Sequence, residues 1–143
     1  MRTLPFLTLS LCLLAGCSEA PPPEPVNPVP AGVVVPKGMP NDVWFQENVL
    51  SSKVPVLLDF TATWCPPCKE MKPFIHDVEK AYGDRLKVVE VDVDENTYLP
   101  AFFQVDGIPR LIVIKNGKVV ADAVGGHDYD ELLKFLNPIL GEP

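Results

Sequence analysis

The chain is poor in cysteine, histidine and positive charge. Its 143 residues include four cysteines and two histidines, and 12 lysines and arginines against 19 aspartates and glutamates. This acidic balance leaves no basic stripe for nucleic acid or anionic lipid, so we expect no nucleic-acid partner. The apolar run at residues 4–14 is shorter than the ~20 residues that cross a bilayer as a helix. The sequence contains no internal repeat, so it gives no sign of a repeat protein.

The N-terminus has the pattern of an export signal. Arg2 is the only charge in residues 1–16, and small residues follow the apolar stretch. The ending Leu14-Ala15-Gly16-Cys17 resembles the lipobox of bacterial lipoproteins, which implies cleavage before Cys17 and lipidation of it; the alternative is a secretory signal with a chance cysteine. Ser18 resembles the pattern sorted to the outer membrane in Gram-negative cells. We therefore expect an extracytoplasmic protein, lipid-anchored on the periplasmic side of a bacterial membrane.

Two further regions follow the signal. Residues 17–40 begin with the cysteine expected to be lipidated and carry eight of the 17 prolines, which predicts an extended tether of at most ~70 Å. A short edge strand at 31–35 is the alternative for part of it. Residues 41–143 are long enough for one hydrophobic core and predict a single domain.

Strand and helix patterns alternate along this domain. The first helix is expected to be capped by Asn41, with Val43, Trp44, Val49 and Leu50 on its inner face. Asp128 and Glu131 form a capping-box pattern at the start of the last helix. The predicted elements are helices at 41–52, 66–82, 96–104 (interrupted or tightened at Pro100) and from 128, and strands at 54–60, 86–93, 111–114 and 119–124, the last two joined by Asn116-Gly117. This order predicts an α/β sandwich with a mixed central sheet flanked by helices.

The most informative feature is the pair Cys65 and Cys68, because processing would leave them as the only thiols. Pro66 predicts a helix that starts directly after Cys65. The unpaired N–H groups and the positive dipole at that end favour a thiolate on Cys65. Cys68, one turn deeper, can attack a mixed disulfide formed at Cys65. The spacing therefore predicts that Cys65 attacks and Cys68 resolves.

Half of a zinc site has the same Cys-x-x-Cys pattern. The other cysteines lie at positions 12 and 17, and neither His76 nor His127 completes a familiar zinc spacing. We expect both histidines to be solvated. We also expect no metal, and no cofactor besides a redox-active disulfide between Cys65 and Cys68.

Several motifs together resemble the thioredoxin family over about residues 41–140. Residues 59–69, Asp-Phe-Thr-Ala-Thr-Trp-Cys-Pro-Pro-Cys-Lys, are similar to its active-site strand and loop. Pro73 falls where the family's active-site helix is kinked, and Gly107-Ile108-Pro109 resembles the loop with its cis-proline. The segments 115–117 and 124–126 match the hairpin and groove edge that follow. The resemblance implies a thioredoxin fold.

The resemblance also implies roles for individual residues. Cys65 would be the exposed nucleophile and Cys68 the buried resolving thiol, with Asp59 as a buried general base or acid for Cys68. Pro109 would be cis, leaving the backbone of Ile108 free to pair with an extended substrate. The residues expected to contact substrate are Trp64, Pro66, Pro67, Val93, Ile108, Pro109 and Gly125.

Two residues depart from the family's pattern. Glu90 stands where many thioredoxins have a lysine near the buried aspartate; facing Asp59 it would push one carboxyl's pKa up, and facing solvent it would do nothing. Arg110 follows the proline where threonine is usual, and it would either compensate Glu90 or flank the groove. Lys69 is the one cation expected close to the cysteines.

These features predict a membrane-tethered, monomeric thiol–disulfide oxidoreductase that reduces protein disulfides. An exported reductant needs electrons, which implies a membrane protein as donor. One alternative is a disulfide oxidase or isomerase, because Pro66 replaces the common glycine between the cysteines. Another is a non-enzymatic carrier in copper or haem maturation, with Cys65 and Cys68 as soft ligands.

Overall fold

The computed structural model of the protein describes residues 43–143. The predicted signal, Cys17, the tether, the alternative strand at 31–35 and Asn41 lie outside the described residues. The elements are α1 (Val43–Phe45), a π-helical turn (Gln46–Leu50), β1 (Val56–Thr61), α2 (Pro66–Tyr82), a 3₁₀ turn (Gly83–Arg85), β2 (Lys87–Asp92), α3 (Tyr98–Phe102), β3 (Arg110–Lys115), β4 (Lys118–Val124) and α4 (Tyr129–Leu140). Within this range, no helix combines the length and apolar character needed to traverse a bilayer.

The four strands form one mixed sheet in the order β2-β1-β3-β4. β1 is parallel to β2 and antiparallel to β3, and β3 is antiparallel to β4. α1 and α3 pack on one face of the sheet, around Phe45, Phe60 and Phe103. α2 and α4 pack on the other face, around Leu57, Leu111 and Leu136. The predicted mixed sheet flanked by helices is therefore confirmed.

This topology brings four connecting segments to one edge of the sheet, namely the edge at which β1, β2 and β4 end and β3 begins. β1 and β2 are parallel, so the segments after both leave at the same edge, and the N–H of Val93 donates to the carbonyl of Thr61 at 3.0 Å. β3 runs the opposite way, so its beginning lies there too, with Arg110 paired to Phe60 of β1 and to Val124 of β4. The cysteine loop and the loop before Pro109 are thus neighbours although 44 residues separate Cys65 from Pro109.

The prediction for the first helix is partly wrong. Val43 and Trp44 are 66% and 45% exposed, whereas Phe45 and Val49 are buried. The α-helical part is a single turn that continues as a π-helical turn, so an inner face read at 3.6 residues per turn does not apply. Leu50 packs against the core as expected.

The predicted hairpin turn and capping box are confirmed. Asn116 and Gly117 have φ values of 54° and 69°, which is the left-handed pair that a tight hairpin turn needs. Asp128 and Glu131 form the predicted capping box. α3 is shorter than predicted but is not interrupted by Pro100, because this residue lies in its first turn, where a missing N–H costs no helical bond.

Candidate active site

Cys65 and Cys68 form a disulfide at the N-terminus of α2, with their Cα atoms 5.4 Å apart. Cys65 is the N-cap residue, as predicted, and its Sγ accepts a hydrogen bond from the N–H of Cys68 at 3.3 Å. Pro66 and Pro67 between them have no N–H, so Cys68 supplies the first free donor of the helix. The helix end therefore points a backbone dipole at the sulfur of Cys65.

Both cysteines are buried in this oxidised state. Cys65 is 2% exposed and Cys68 is 4% exposed, so the expected contrast between an exposed and a buried thiol is wrong for the disulfide form. The reason is that Val93 and Ile108, from two neighbouring loops, pack against the pair. Access to either sulfur thus depends on these flanking loops.

The remaining predicted contact residues surround the disulfide. Trp64, Pro66 and Pro67 are exposed, and the indole Nε1–H of Trp64 donates to Asp94 Oδ2 at 2.7 Å. Asp94 was not identified from the sequence, in which it is one of two adjacent acids shortly after β2. These exposed side chains therefore form the surface beside the buried disulfide.

The loop before β3 completes this surface. The Ile108–Pro109 peptide bond is cis, as the resemblance implied. The N–H of Gly125 donates to the carbonyl of Pro109 at 2.9 Å, and Gly125 has a φ of 97°, a conformation that favours glycine. The hydrogen bond joins the loop before β3 to the segment that follows β4.

Asp59 lies in β1, on the face of the sheet that α2 and α4 cover, and is 6% exposed. Its Oδ1 accepts no hydrogen bond from the described residues. The pKa of Asp59 is raised to about 6: burial is the largest cause, the nearby Glu90 carboxylate adds to the rise, and the Lys72 ammonium opposes it. A carboxyl in this environment exchanges protons near neutral pH.

Glu90 is the strand partner of Asp59 in the parallel pairing of β1 with β2. Its carboxylate also binds Lys72 Nζ of α2 at 2.8 Å, on a half-exposed surface. Of the two predicted alternatives, Glu90 therefore acts on Asp59, but through a charge that Lys72 partly neutralises. The expectation that Lys69 is the one nearby cation is wrong, since Lys72 lies one turn beyond Cys68 and lines the same cleft.

Two clefts meet at this ion pair. One opens beside Cys68 and Lys69, and the other reaches Asp59 and His76. Both are lined by Lys72 and Glu90. The pair thus stands between the resolving cysteine and the buried carboxyl.

Arg110 adopts neither of its predicted roles. Its side chain is fully buried and pairs with Asp122 of β4, whose strand position faces Ile112. Arg110 and Glu90 lie on opposite faces of the sheet, because Arg110 pairs with Phe60 and Glu90 with Asp59. Arg110 therefore does not compensate Glu90.

The two histidines differ. His76 is exposed, as predicted. His127 is only partly exposed, and its Nε2 is buried without a hydrogen-bond partner among the described residues, so the expectation of a solvated ring is wrong for it. The ring lines a cleft with Pro67 and Phe74 because the segment after β4 folds against the start of α2.

The raised pKa of Asp59 predicts that replacing it with asparagine stabilises the oxidised protein at high pH. The unfolded chain ionises Asp59 near 3.8 and the folded chain near 6. Between these values the folded state keeps a proton that the unfolded state releases, so stability falls as pH rises and stays lower above pH 6. Asp59→Asn should raise the free energy of unfolding at pH 8 by up to about 3 kcal/mol and change it little at pH 4.

Chemical denaturation at the two pH values measures this difference. The matched control is Asp77→Asn, which removes an exposed carboxyl from α2. If Asp59→Asn raises the free energy of unfolding equally at pH 4 and pH 8, the pKa of Asp59 is not raised by burial.

Comparison with known proteins agrees with this geometry. Residues 37–138 match the family model described as Thioredoxin. Thioredoxin of Haemophilus influenzae is 42% identical over 97 residues, covering 68% of this chain and 91% of the relative. Thioredoxin of Acidithiobacillus ferridurans is 40% identical over 97 residues, covering 68% and 90%. Mitochondrial thioredoxin of Mus musculus is 37% identical over 97 residues, covering 68% and 58%.

The matched region contains the whole sheet, the disulfide and the loop before β3. An α/β fold with a disulfide at a helix N-terminus, joined to these similarities, settles both the family and the chemistry. The chain belongs to the thioredoxin family and is a thiol–disulfide oxidoreductase.

Proposed function

We propose that the protein is a membrane-tethered, extracytoplasmic reductase of protein disulfides that works through Cys65 and Cys68. The observation that carries this proposal is the position of Cys65 as N-cap of α2, with the Cys68 N–H on its sulfur. This arrangement stabilises a thiolate moderately, by dipoles alone. The redox-active disulfide is the only cofactor the reaction needs.

The reaction starts from the reduced dithiol. The Cys65 thiolate attacks one sulfur of a substrate disulfide, a mixed disulfide forms, and the other substrate sulfur leaves as a thiolate. Cys68 then loses its proton and attacks the Cys65 sulfur, which releases the second substrate thiolate. Two electrons pass to the substrate, and the Cys65–Cys68 disulfide is left.

Asp59 is proposed to take the proton of Cys68. A pKa of about 6 leaves the carboxyl mostly ionised at neutral pH, yet still able to hold a proton. The clefts on either side of the Lys72–Glu90 pair offer a route for water between Asp59 and Cys68. The water-mediated path is our proposal; its support is this shared lining.

Substrate proteins are proposed to dock on the surface around the disulfide. Trp64, Pro66 and Pro67 provide its exposed part, and Val93 and Ile108 lie against the cysteines. The backbone of Ile108 would pair with an extended substrate segment, while Pro109 and Gly125 hold the adjoining backbone through their hydrogen bond.

The location and the electron source are proposed from the sequence. The lipobox-like residues 14–17 support a lipid anchor at Cys17, and the proline-rich residues 18–40 support a tether to the domain. A reductant outside the cytoplasm must be re-reduced after each turnover, so a membrane protein that carries electrons across the bilayer is the proposed donor.

The unequal roles of the cysteines predict a difference in trapping. Cys68→Ser keeps the attacking thiolate but cannot resolve, so mixed disulfides with partner proteins should accumulate. Cys65→Ser should trap almost none, and the double variant serves as background. Non-reducing gels with mass spectrometry measure the adducts, and equal trapping by both single variants would refute the assignment.

The direction of the reaction predicts a low reduction potential. Strong oxidants in the family need a far more stabilised thiolate than a moderately shifted cysteine provides, and they lie near −120 mV against about −270 mV for thioredoxin. Lys69 and Lys72 near Cys68 are opposed by Glu90 and Asp59. We expect a potential below about −220 mV and reduction of insulin disulfides with dithiothreitol as electron source. A potential above roughly −180 mV with poor insulin turnover would instead favour the oxidase or isomerase alternative.

The proposed anchor predicts that Cys17→Ala abolishes acyl labelling and removes the protein from the membrane fraction. Cys12→Ala, which changes the other cysteine of the N-terminal segment, is the matched control and should remain labelled. Metabolic labelling with a fatty-acid analogue followed by fractionation measures both. Normal labelling of Cys17→Ala would exclude this lipidation site.

A further inference from the structure

Arg110 is a fully buried charge next to the expected substrate loop. Its Nε donates to Asp122 Oδ1 at 3.0 Å and its Nη2 to Asp122 Oδ2 at 2.8 Å. This two-point pairing with a buried carboxylate, 3% exposed, uses the planar fork of the guanidinium. The pair thereby links the first residue of β3 to β4.

The remaining nitrogen of the guanidinium, Nη1, faces the loop at residues 104–109. Nη1 donates to the carbonyl of Gln104 at 3.1 Å and lies 3.6 Å from Asp106 Oδ1. Gln104 has a φ of 53°, a left-handed conformation that is uncommon for a residue with a side chain. The hydrogen bond from Arg110 therefore holds the loop where its backbone turns.

The far end of the same loop touches the redox centre. Ile108 packs against Cys65 and Cys68, and the carbonyl of Pro109 is bonded to Gly125. The position of this backbone relative to the sulfurs thus depends on what fastens residues 104–109 to the sheet.

We propose that Arg110 is a positioning residue for protein substrates: with Asp122 it fastens the loop at 104–109 so that the backbone of Ile108 stays aligned beside the disulfide. This inference rests on the proposed reduction of protein disulfides. Arg110 does not touch the reacting sulfurs, so a small disulfide that does not use the loop is unaffected by it. A protein disulfide, which pairs with the loop, depends on it.

The test compares two substrates with the pre-reduced protein, freed of reductant. Arg110→Met/Asp122→Leu removes both charges together, which avoids leaving one of them buried alone and keeps the net charge constant. Arg85→Met is the matched control, because it removes a guanidinium that binds the carbonyls of Leu140 and Glu142 beyond the other end of α2. Circular dichroism checks that each variant is folded.

We expect the double variant to lose about tenfold in the rate constant for insulin disulfides, within the hundredfold that misplacement by an ångström can cost. Its rate constant for dithiobisnitrobenzoate should be nearly unchanged, as should both rate constants of Arg85→Met. An unchanged insulin rate, or an equal loss on both substrates, would overturn the positioning role.

Amide hydrogen exchange provides a readout that does not depend on activity. The Gly125 N–H, bonded to Pro109, should exchange faster in the double variant than in Arg85→Met; equal exchange would overturn the fastening of the loop. If the wild-type protein reacts with dithiobisnitrobenzoate but not with insulin, the proposed function fails, while the exchange result still decides whether Arg110 holds the loop.

Discussion

The antiparallel pairing of β3 with β1, beside the parallel pairing of β2 with β1, is the constraint on which the site depends. It places the end of β1 and the start of β3 at one edge, so that the cysteine loop and Ile108 meet. With β3 parallel to β1, the start of β3 would lie at the opposite edge. Strand direction therefore decides which loops surround the dithiol.

Two charged side chains, Asp59 and Arg110, are buried in the sheet, and burial has a different consequence for each. Asp59 is buried without a hydrogen bond to Oδ1 from the described residues, so desolvation raises its pKa and the carboxyl becomes an exchanger of protons. Arg110 is buried with a carboxylate that matches the shape of its guanidinium, and this ion pair holds structure. The two faces of the same sheet thus separate proton chemistry from loop placement.

The pair formed by Lys72 and Glu90 shows how one departure from the family's pattern is accommodated. An acid on β2 beside Asp59 would by itself disfavour ionisation of the buried carboxyl. The cation that opposes it comes from α2, one turn beyond Cys68. The charge balance near the resolving cysteine is therefore set jointly by a strand and by the helix that carries the cysteines.

Sequence alone determined the features that depend on neighbouring residues. These are the helix start at Pro66 with Cys65 as its cap, the hairpin at Asn116-Gly117 and the Asp128 capping box. The alternating order of elements and the family motifs also predicted the mixed sheet. Local propensity, capping and turn geometry act over a few residues and are visible in the pattern.

Only the tertiary structure decided which distant groups pair. Lys72 and Glu90 are 18 residues apart, Trp64 and Asp94 are 30 apart, and Arg110 bonds across a hairpin to Asp122. In the sequence, several acids are available as a partner for each of Lys72, Trp64 and Arg110. The burial of Cys65 depends on two loops whose positions no local pattern predicts. Packing of the sheet and helices selects these partners from many because it decides which distant residues come close together. For the buried Arg110, desolvation also penalises a charge that is left unpaired.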